Sequence, residues 1–393
     1  MYLFNKYKNC SYCNEPFNDK LWCKKCDPRC LIECWTSGNS DTDEFIKNTI
    51  YNVRHDFSGV FLEWVPFNRI SDIKLIGEGG FSKVYSAIWI NGKSSYKVRN
   101  YGIWEKLVSQ PTKVALKKLN GSQNISVDYL DKIKLHWNLY LSNPDFLKFY
   151  GITKDPKTKE FITILQFGNM GNLRDILSNN FNYILWKDKI KLLHDLVTDL
   201  QYAHRLKCFH NDFRSENILR NNALYFISDF GSTFGVVMAE FSSGKTPFYN
   251  RKHNLSLAFD ICNGLRPEFG EGTPDIYKRL SYKCMNANPD ERPTSNELYR
   301  ILRFWYSAII GDNTEKLGKD IKAIFEKADT EIPNIITSYG TDPDAVYVSR
   351  EFTFNNLPKP ANSSMITSYL NEEHYEDSQL YGLGVASSFL PNV

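Results

Sequence analysis

The feature that most constrains this chain is a change of hydrophobic period near residue 170. Before it lie short runs rich in β-branched and aromatic residues: Ile70–Leu75, Lys83–Ile90, Lys113–Leu119, Leu147–Ile152 and Phe161–Phe167. Turn signals such as Asn91-Gly92 and Asn120-Gly121 separate several of them, the pattern of strands joined by tight turns. After Asn172 the apolar residues fall three and four apart, as in Ile190, Leu193, Leu196, Val197 and Leu200, and again in Leu298, Ile301, Leu302 and Trp305. That is the spacing of helices with one buried face. Strands followed by helices predict an α+β chain of two lobes, the first mainly β and the second mainly α.

A length of 393 residues leaves room for such a pair. With 42% apolar and 24% charged residues, disorder along the whole chain is excluded. The formal net charge of +3 gives no general attraction to nucleic acid or to an anionic membrane, and neither is expected as a partner. No run of about 18 apolar residues is present to span a bilayer. The start Met1-Tyr2-Leu3-Phe4-Asn5-Lys6 turns polar too soon for a secretory signal. A reducing compartment, the cytoplasm or the nucleus, is the expectation, with thiols outside disulfides.

Within this frame, residues 37–60 are polar around a helical stretch at Phe45–Val53 and read as a linker. Residues 61–310 hold the two lobes. Residues 311–393 add one amphipathic helix (Leu317, Ile321, Ile324, Phe325, Ala328) and then a Ser/Asn/Pro-rich tail without periodicity, expected to be disordered.

Six of the nine cysteines fall in the first 34 residues: Cys10, Cys13, Cys23, Cys26, Cys30 and Cys34. Residues 1–36 are too few to bury a core without a staple. The pairs Cys10/Cys13 and Cys23/Cys26 are two CxxC knuckles whose four thiolates can close a tetrahedral, structural Zn²⁺ site. A loose reduced tail, or a disulfide pair in an oxidising compartment, is the plain alternative, and Cys30 or Cys34 could replace a ligand. Cys208, Cys262 and Cys284 read as isolated buried thiols.

Gly77-Glu78-Gly79-Gly80-Phe81-Ser82-Lys83-Val84 lies between two strand candidates, unlike a dinucleotide turn, which opens a helix. A Gly-rich β-turn can lay backbone N–H groups over phosphates, although most such turns are only turns. One strand later, Val114-Ala115-Leu116-Lys117 puts a lysine on the face opposite Leu116, in reach of those phosphates or simply in water. His210-Asn211-Asp212-Phe213-Arg214-Ser215-Glu216-Asn217 follows a long helical pattern, and Ser228-Asp229-Phe230-Gly231 comes after it. Asp and Asn are ordinary turn formers. Two oxygen ligands, Asn217 and Asp229, beside a carboxylate base, Asp212, are nevertheless the groups that Mg²⁺-assisted phosphoryl transfer requires. All four elements in this order are far more specific than any one of them.

On these motifs the chain resembles the eukaryotic protein kinase family. It is most similar to the tyrosine-kinase-like branch and to an expanded fungal set with an N-terminal CxxC pair. Trp35-Thr36-Ser37-Gly38, Glu63-Trp64-Val65-Pro66 and Asn356-Leu357-Pro358-Lys359-Pro360 look like that set. The resemblance implies a two-lobed protein-kinase-like fold that binds ATP and Mg²⁺ and phosphorylates Ser/Thr (or Tyr) hydroxyls of proteins. It places Gly77, Gly79 and Gly80 over the phosphates, with Lys117 as the phosphate-binding lysine. It makes Asp212 the base, Arg214 a γ-phosphate contact, and Asn217 and Asp229 the Mg²⁺ ligands. Leu165 becomes the gatekeeper and Gln166, Phe167 and Gly168 the segment that meets adenine, with Val84, Ala115 and Leu219 against its ring.

Four departures from the family pattern bear on activity. Lys132 stands where a helix should offer a glutamate to Lys117, with Asp131 or Asp128 as substitutes of altered geometry. Asn211 replaces the usual arginine. Asp229-Phe230-Gly231 runs almost directly into Thr233-Phe234-Gly235-Val236-Val237-Met238-Ala239-Glu240, so the activation segment, its Ala-Pro-Glu stretch and the anchoring Asp of the following helix are absent. Arg292 is thereby expected to be a buried guanidinium without its carboxylate, a costly arrangement. Two readings follow: a kinase impaired by that loss, or an ATP-binding pseudokinase or scaffold.

Overall fold

The computed structural model describes residues 35–51, 60–79, 82–94, 96–98, 104–106, 109–123, 125–143, 146–169, 171–205, 218–221, 224–227, 234–337, 339–347 and 356–371. The chain is α+β and divides into two compact units, the first ending at Phe167 and the second beginning at Gly168.

The first unit is built on a six-stranded sheet of order β1-β7-β8-β6-β3-β2. Its strands are β1 (Glu63–Trp64), β2 (Ile70–Glu78), β3 (Ser82–Trp89), β6 (Thr112–Leu119), β7 (Phe149–Lys154) and β8 (Phe161–Gln166). All neighbours are antiparallel except β1, which runs parallel to β7. A separate hairpin joins β4 (Tyr96–Val98) and β5 (Trp104–Lys106), which the sequence did not announce. Because residues two apart on a strand share a face, Ala87, Trp89, Val114, Leu116, Ile162 and Ile164 fall together as a buried apolar cluster with Val65 and Ile70.

Strand limits differ from the sequence expectation where pairing outlasts hydrophobicity. β2 runs on to Glu78 because Gly77 and Glu78 still pair with Val84 and Lys83. β7 starts only at Phe149, since the Phe146 N–H turns back to the Asn143 carbonyl at 2.9 Å.

The segment expected as a linker contains helix α1 (Ser40–Tyr51). The helical stretch expected at Phe45–Val53 starts earlier, through a polar first turn in which Asn39 Oδ1 caps the Thr42 N–H at 2.8 Å. Ile46 and Ile50 are buried. Trp35 stacks on Trp64 at 5.6 Å, and Lys154 Nζ donates to the Ser37 carbonyl at 3.2 Å. The stretch is therefore part of the first unit. Helix α2 (Val127–Ser142) is capped by Ser126, whose hydroxyl accepts the Tyr129 N–H.

The second unit is mainly helical. Helices α3 (Leu173–Asn180) and α4 (Trp186–Arg205) are followed by a hairpin of β9 (Ile218–Asn221) and β10 (Leu224–Ile227). Then come α5 (Phe234–Ser243), α6 (Leu255–Cys262), α7 (Asp275–Cys284), α8 (Ser295–Ile310) and α9 (Lys316–Glu331). The boundaries of α8 follow its sequence: a Thr294/Glu297 capping box opens it and Gly311, at φ +87°, closes it. One core gathers apolar side chains of α3, α4, α5, α7, α8 and α9 around Trp186, Tyr277, Trp305 and Phe325.

The tail expected to be disordered is ordered wherever it is described. Helix α10 (Ser364–Asn371) buries Ile366 against Tyr282 and Met285. Asn362 Oδ1 accepts the Ala287 N–H at 2.9 Å. These anchors are scattered singly, so they leave no period in the sequence.

Candidate functional site

Directly paired residues in an antiparallel ladder lie on one face. Gly77 pairs with Val84, Val84 with Lys117, and Lys117 with Thr163, so these four form one row across β2, β3, β6 and β8. Ser86, Ala115 and Leu165 form the next row on the same face. The structure thus brings Gly77, Val84, Ala115, Lys117 and Leu165 together, opposite the apolar cluster beneath. Ala115 and Leu165 are buried and Lys117 is half-buried. The Lys117 carbonyl accepts from the Thr163 hydroxyl at 3.3 Å.

The turn between β2 and β3 is closed by the Gly79 N–H donating to the Ser82 carbonyl at 2.8 Å. Glu78 and Lys83 pair across its base at 2.7 Å, a hydrogen bond that holds the Lys83 ammonium above its ordinary pKa. Among the described residues, a Cβ on Gly77 would meet only the Val84 Cβ, at 3.9 Å. Packing against the described residues does not demand glycine there. The room lies over Val84, on the face that carries Lys117, and suits a group laid against the sheet. At the far end of β8, Gln166 is tied to Lys148 by its backbone N–H at 2.9 Å and by its side-chain oxygen at 3.3 Å. Phe167 lies under the Lys113 ammonium at 4.0 Å.

Lys118, one residue from Lys117, points the other way and meets Asp155 and Glu160, each at 2.9 Å. Burial lowers its pKa, but the hydrogen bonds to Glu160 and Asp155 outweigh that and leave it raised. Lys132 is exposed on α2, and Asp131 pairs with Lys134 at 3.2 Å.

Gly168 begins the second unit, and Leu219 lies on β9 opposite Phe226. Gly80, Asp212, Arg214, Asn217, Asp229 and the four cysteines Cys10, Cys13, Cys23 and Cys26 lie outside the described residues, as does the side chain of Asp128. In sequence, Asn217 immediately precedes β9 and Asp229 follows β10 by two residues. Among the described residues no cluster of His, Cys, Asp and Glu is arranged to hold a metal.

Arg292 corrects its expectation: it is half-exposed, and its Nε donates to the Asn286 carbonyl at 2.7 Å. Among the described residues a backbone carbonyl serves as its acceptor.

The sequence reading passed over two charged groups of the helical core. Glu240 on α5 is buried and accepts from Arg174 Nε at 3.3 Å. Lys189 on α4 is fully buried, its ammonium 4.1 Å from the Phe181 ring centre and 4.8 Å from that of Trp186. Lys189 was detectable, since it falls three residues after Trp186 and four before Leu193, on the apolar stripe of α4.

Taken together, a glycine turn that can approach anions, a cation and small apolar side chains on one sheet face can hold a phosphorylated ligand with a flat apolar portion. Among the described residues, no helix is long and apolar enough to cross a membrane. Residues 70–233 match a family model described as protein tyrosine and serine/threonine kinase. A probable serine/threonine-protein kinase of Dictyostelium discoideum is 21% identical over 278 residues, covering 60% of this chain and 16% of that protein. The dual specificity protein kinase pyk3 of the same organism is 22% identical over 283 residues, covering 63% and 19%. Its cyclic GMP-binding protein C is 24% identical over 344 residues, covering 70% and 12%. The chain therefore spans less than a fifth of the length of these relatives. Residues 70–233 are thus similar to protein tyrosine and serine/threonine kinases.

Proposed function

With residues 70–233 similar to protein tyrosine and serine/threonine kinases, we propose that this chain binds Mg-ATP on the sheet face of Gly77, Val84, Ala115 and Lys117, and that phosphoryl transfer to protein Ser/Thr hydroxyls is impaired. The row Gly77–Val84–Lys117 carries the reading. It sets the glycine turn and a lysine on adjacent strands of one face, as a ligand with a phosphate chain requires.

In this reading Lys117 holds phosphate charge, the turn residues Gly77, Gly79 and Gly80 cover it, and Val84, Ala115 and Leu219 contact the adenine with the backbone of Gln166 and Gly168. Asn217 and Asp229 would hold Mg²⁺, which when bound neutralises phosphate charge. Asp212 accepts the proton of the acceptor hydroxyl, and Arg214 contacts the terminal phosphate. The impairment rests on the short passage from Ile227, the end of β10, to Phe234, the start of α5, which leaves only residues 228–233 where the family has an activation segment. Transfer needs an acceptor held within about 3–3.5 Å of the phosphorus, and that segment is what holds it in the family. Lys132 in place of a glutamate acts in the same direction.

Mg-ATP at millimolar concentration should raise the melting temperature, since it binds the folded state. No shift would remove the nucleotide reading and leave the scaffold one. Transfer to protein substrates should stay near background. Robust transfer that Asp212→Asn abolishes would show that the short passage is no impediment. Residues 1–36 are proposed separately to hold one structural Zn²⁺ through Cys10, Cys13, Cys23 and Cys26. Metal analysis of freshly purified, reduced protein should find one zinc per chain, released by Cys10→Ser, and none would end the idea.

A further inference from the structure

The loop of residues 244–254, between α5 and α6, carries a segment of the same chain laid across it. The Thr246 N–H donates to Tyr339 Oη at 3.1 Å, and the Tyr339 ring stands edge-on to Tyr249 at 4.3 Å. The Thr246 hydroxyl donates to Tyr347 Oη at 2.9 Å, and the Tyr347 hydroxyl donates onward to the Pro247 carbonyl at 3.1 Å. Arg174 covers one face of the Tyr347 ring at 4.5 Å, and His253 meets that ring edge-on at 4.8 Å. Between the two tyrosines the backbone is read directly. The Asp342 N–H donates to the Tyr249 carbonyl at 2.8 Å, and the His253 N–H to the Asp344 carbonyl at 3.1 Å. His253 Nδ1 lies 2.9 Å from the Val346 carbonyl, and Lys252 pairs with the Asp344 carboxylate.

The loop is also tied by hydrogen bonds of its own. The Gly244 N–H returns to the Glu240 carbonyl at 2.8 Å, the Tyr249 N–H to Thr246 at 3.2 Å and the Arg251 N–H to Phe248 at 3.1 Å. Arg251 is further fixed by Asp260 at 2.6 Å, and Asn254 caps α6. The covering segment is tied within itself at one turn, where the Ala345 N–H donates to the Asp342 carbonyl at 2.9 Å and the Asp344 N–H to Asp342 Oδ1 at 2.8 Å. Gly340, Thr341, Pro343, Asp344 and Val346 are exposed, and its two tyrosines are half-buried. A surface bearing two ring sockets, a lysine and backbone donors, filled by a short segment with one turn, has the anatomy of peptide recognition.

We propose that residues 244–254 with Arg174 form a recognition surface for an acidic peptide with a central turn flanked by two tyrosines, and that residues 339–347 occupy it in cis. This does not depend on the nucleotide reading, because every contact lies within the helical unit and none involves the sheet. A tethered segment acts at roughly millimolar effective concentration, so the surface is closed to weaker partners until the strip is displaced.

The test uses the full chain and a fluorescein-labelled peptide of residues 336–347, read by anisotropy. The Tyr339→Ala/Tyr347→Ala chain should bind the peptide about tenfold or more tightly than the wild-type chain, as release from a tethered competitor predicts. Adding Thr246→Val and Lys252→Glu to the emptied chain should weaken binding about fivefold or more. Equal binding to both chains, or none to a cooperatively melting emptied chain at about 2 mM peptide, would overturn the proposal. Should the emptied chain fail to fold, amide exchange in the wild-type chain decides. The His253 and Asp342 amides should exchange faster than those of Gly244 and Tyr249, and equal rates would overturn the proposal.

Discussion

The sheet of the first unit and the helical core of the second each take a lysine out of water, and they do so in opposite ways. Lys118 keeps two carboxylates, Asp155 and Glu160, and its pKa is raised. Lys189 lies between aromatic rings, and burial, only partly offset by Asp329, pushes its pKa down to about 7. The first arrangement fixes a charge in place. The second stabilises the uncharged amine, because ring faces recover only part of the hydration that an ammonium loses.

The largest expected effect comes from removing the odd lysine. Lys189→Met should stabilise the chain by about 1–4 kcal/mol at pH 6, since an apolar side chain of similar length replaces a buried ammonium. The sign follows from linkage. Between about pH 7 and the ordinary lysine pKa of 10.5 the unfolded chain binds the proton and the folded one does not, so wild-type stability climbs with pH across that window. The advantage of Lys189→Met should therefore be greatest below pH 7 and fade toward pH 10, as urea titrations over that range would measure. An advantage independent of pH would mean that packing, not charge, separates the two lysines.

A smaller loss is expected at the paired site. Lys118→Met leaves Asp155 and Glu160 facing each other without their cation and should cost about 1–2 kcal/mol at pH 7. Burial pushes the Asp155 carboxyl up, but the Lys118, Lys157 and Thr158 hydrogen bonds hold it below the usual carboxylate range, and the Lys118 bond lowers Glu160 likewise. This contribution is present above the ordinary carboxylate pKa values and is lost as pH falls through the depressed ones. Denaturation of both chains on acid titration should thus converge, and a constant difference into acid would break the contrast with Lys189.

The smallest effect on stability sharpens the comparison most. Lys117 neighbours Lys118 in sequence but stands on the opposite face, with the glycine turn. Lys117→Ala should change stability by no more than about 0.5 kcal/mol yet shrink the melting shift given by Mg-ATP. A large stability loss with the shift intact would assign Lys117 to structure.

These lysines also show what the sequence could reveal. Alternation within Val114–Lys117 is enough to put Leu116 and Lys117 on opposite faces, and the stripe of α4 is enough to bury Lys189. Pairing between strands is not local, so the row Gly77–Val84–Lys117 became visible only once register was known. Helix α1 is expected from Phe45, but its polar first turn is not, nor is its place in the first unit, which shows in the bond from the Leu62 N–H, beyond it in the chain, to the Thr49 hydroxyl. The strip at Tyr339–Tyr347 escaped notice for a different reason. Its contacts go to a loop nearly a hundred residues earlier, through tyrosines and aspartates that have no period of their own.

Helix α1 has a practical consequence for anyone dissecting the chain. The Leu62 N–H donates to the Thr49 hydroxyl at 3.0 Å, and Phe61 and Leu62 are fully buried. A fragment begun at Phe61, where the two lobes are expected to begin, would strip away the buried Ile46 and Ile50, the Thr49 hydroxyl that Leu62 uses and the Trp35 ring stacked on Trp64. Such a fragment should be recovered mostly as aggregate. Starting it before Trp35 would retain the stacked indoles and the Thr49 hydroxyl.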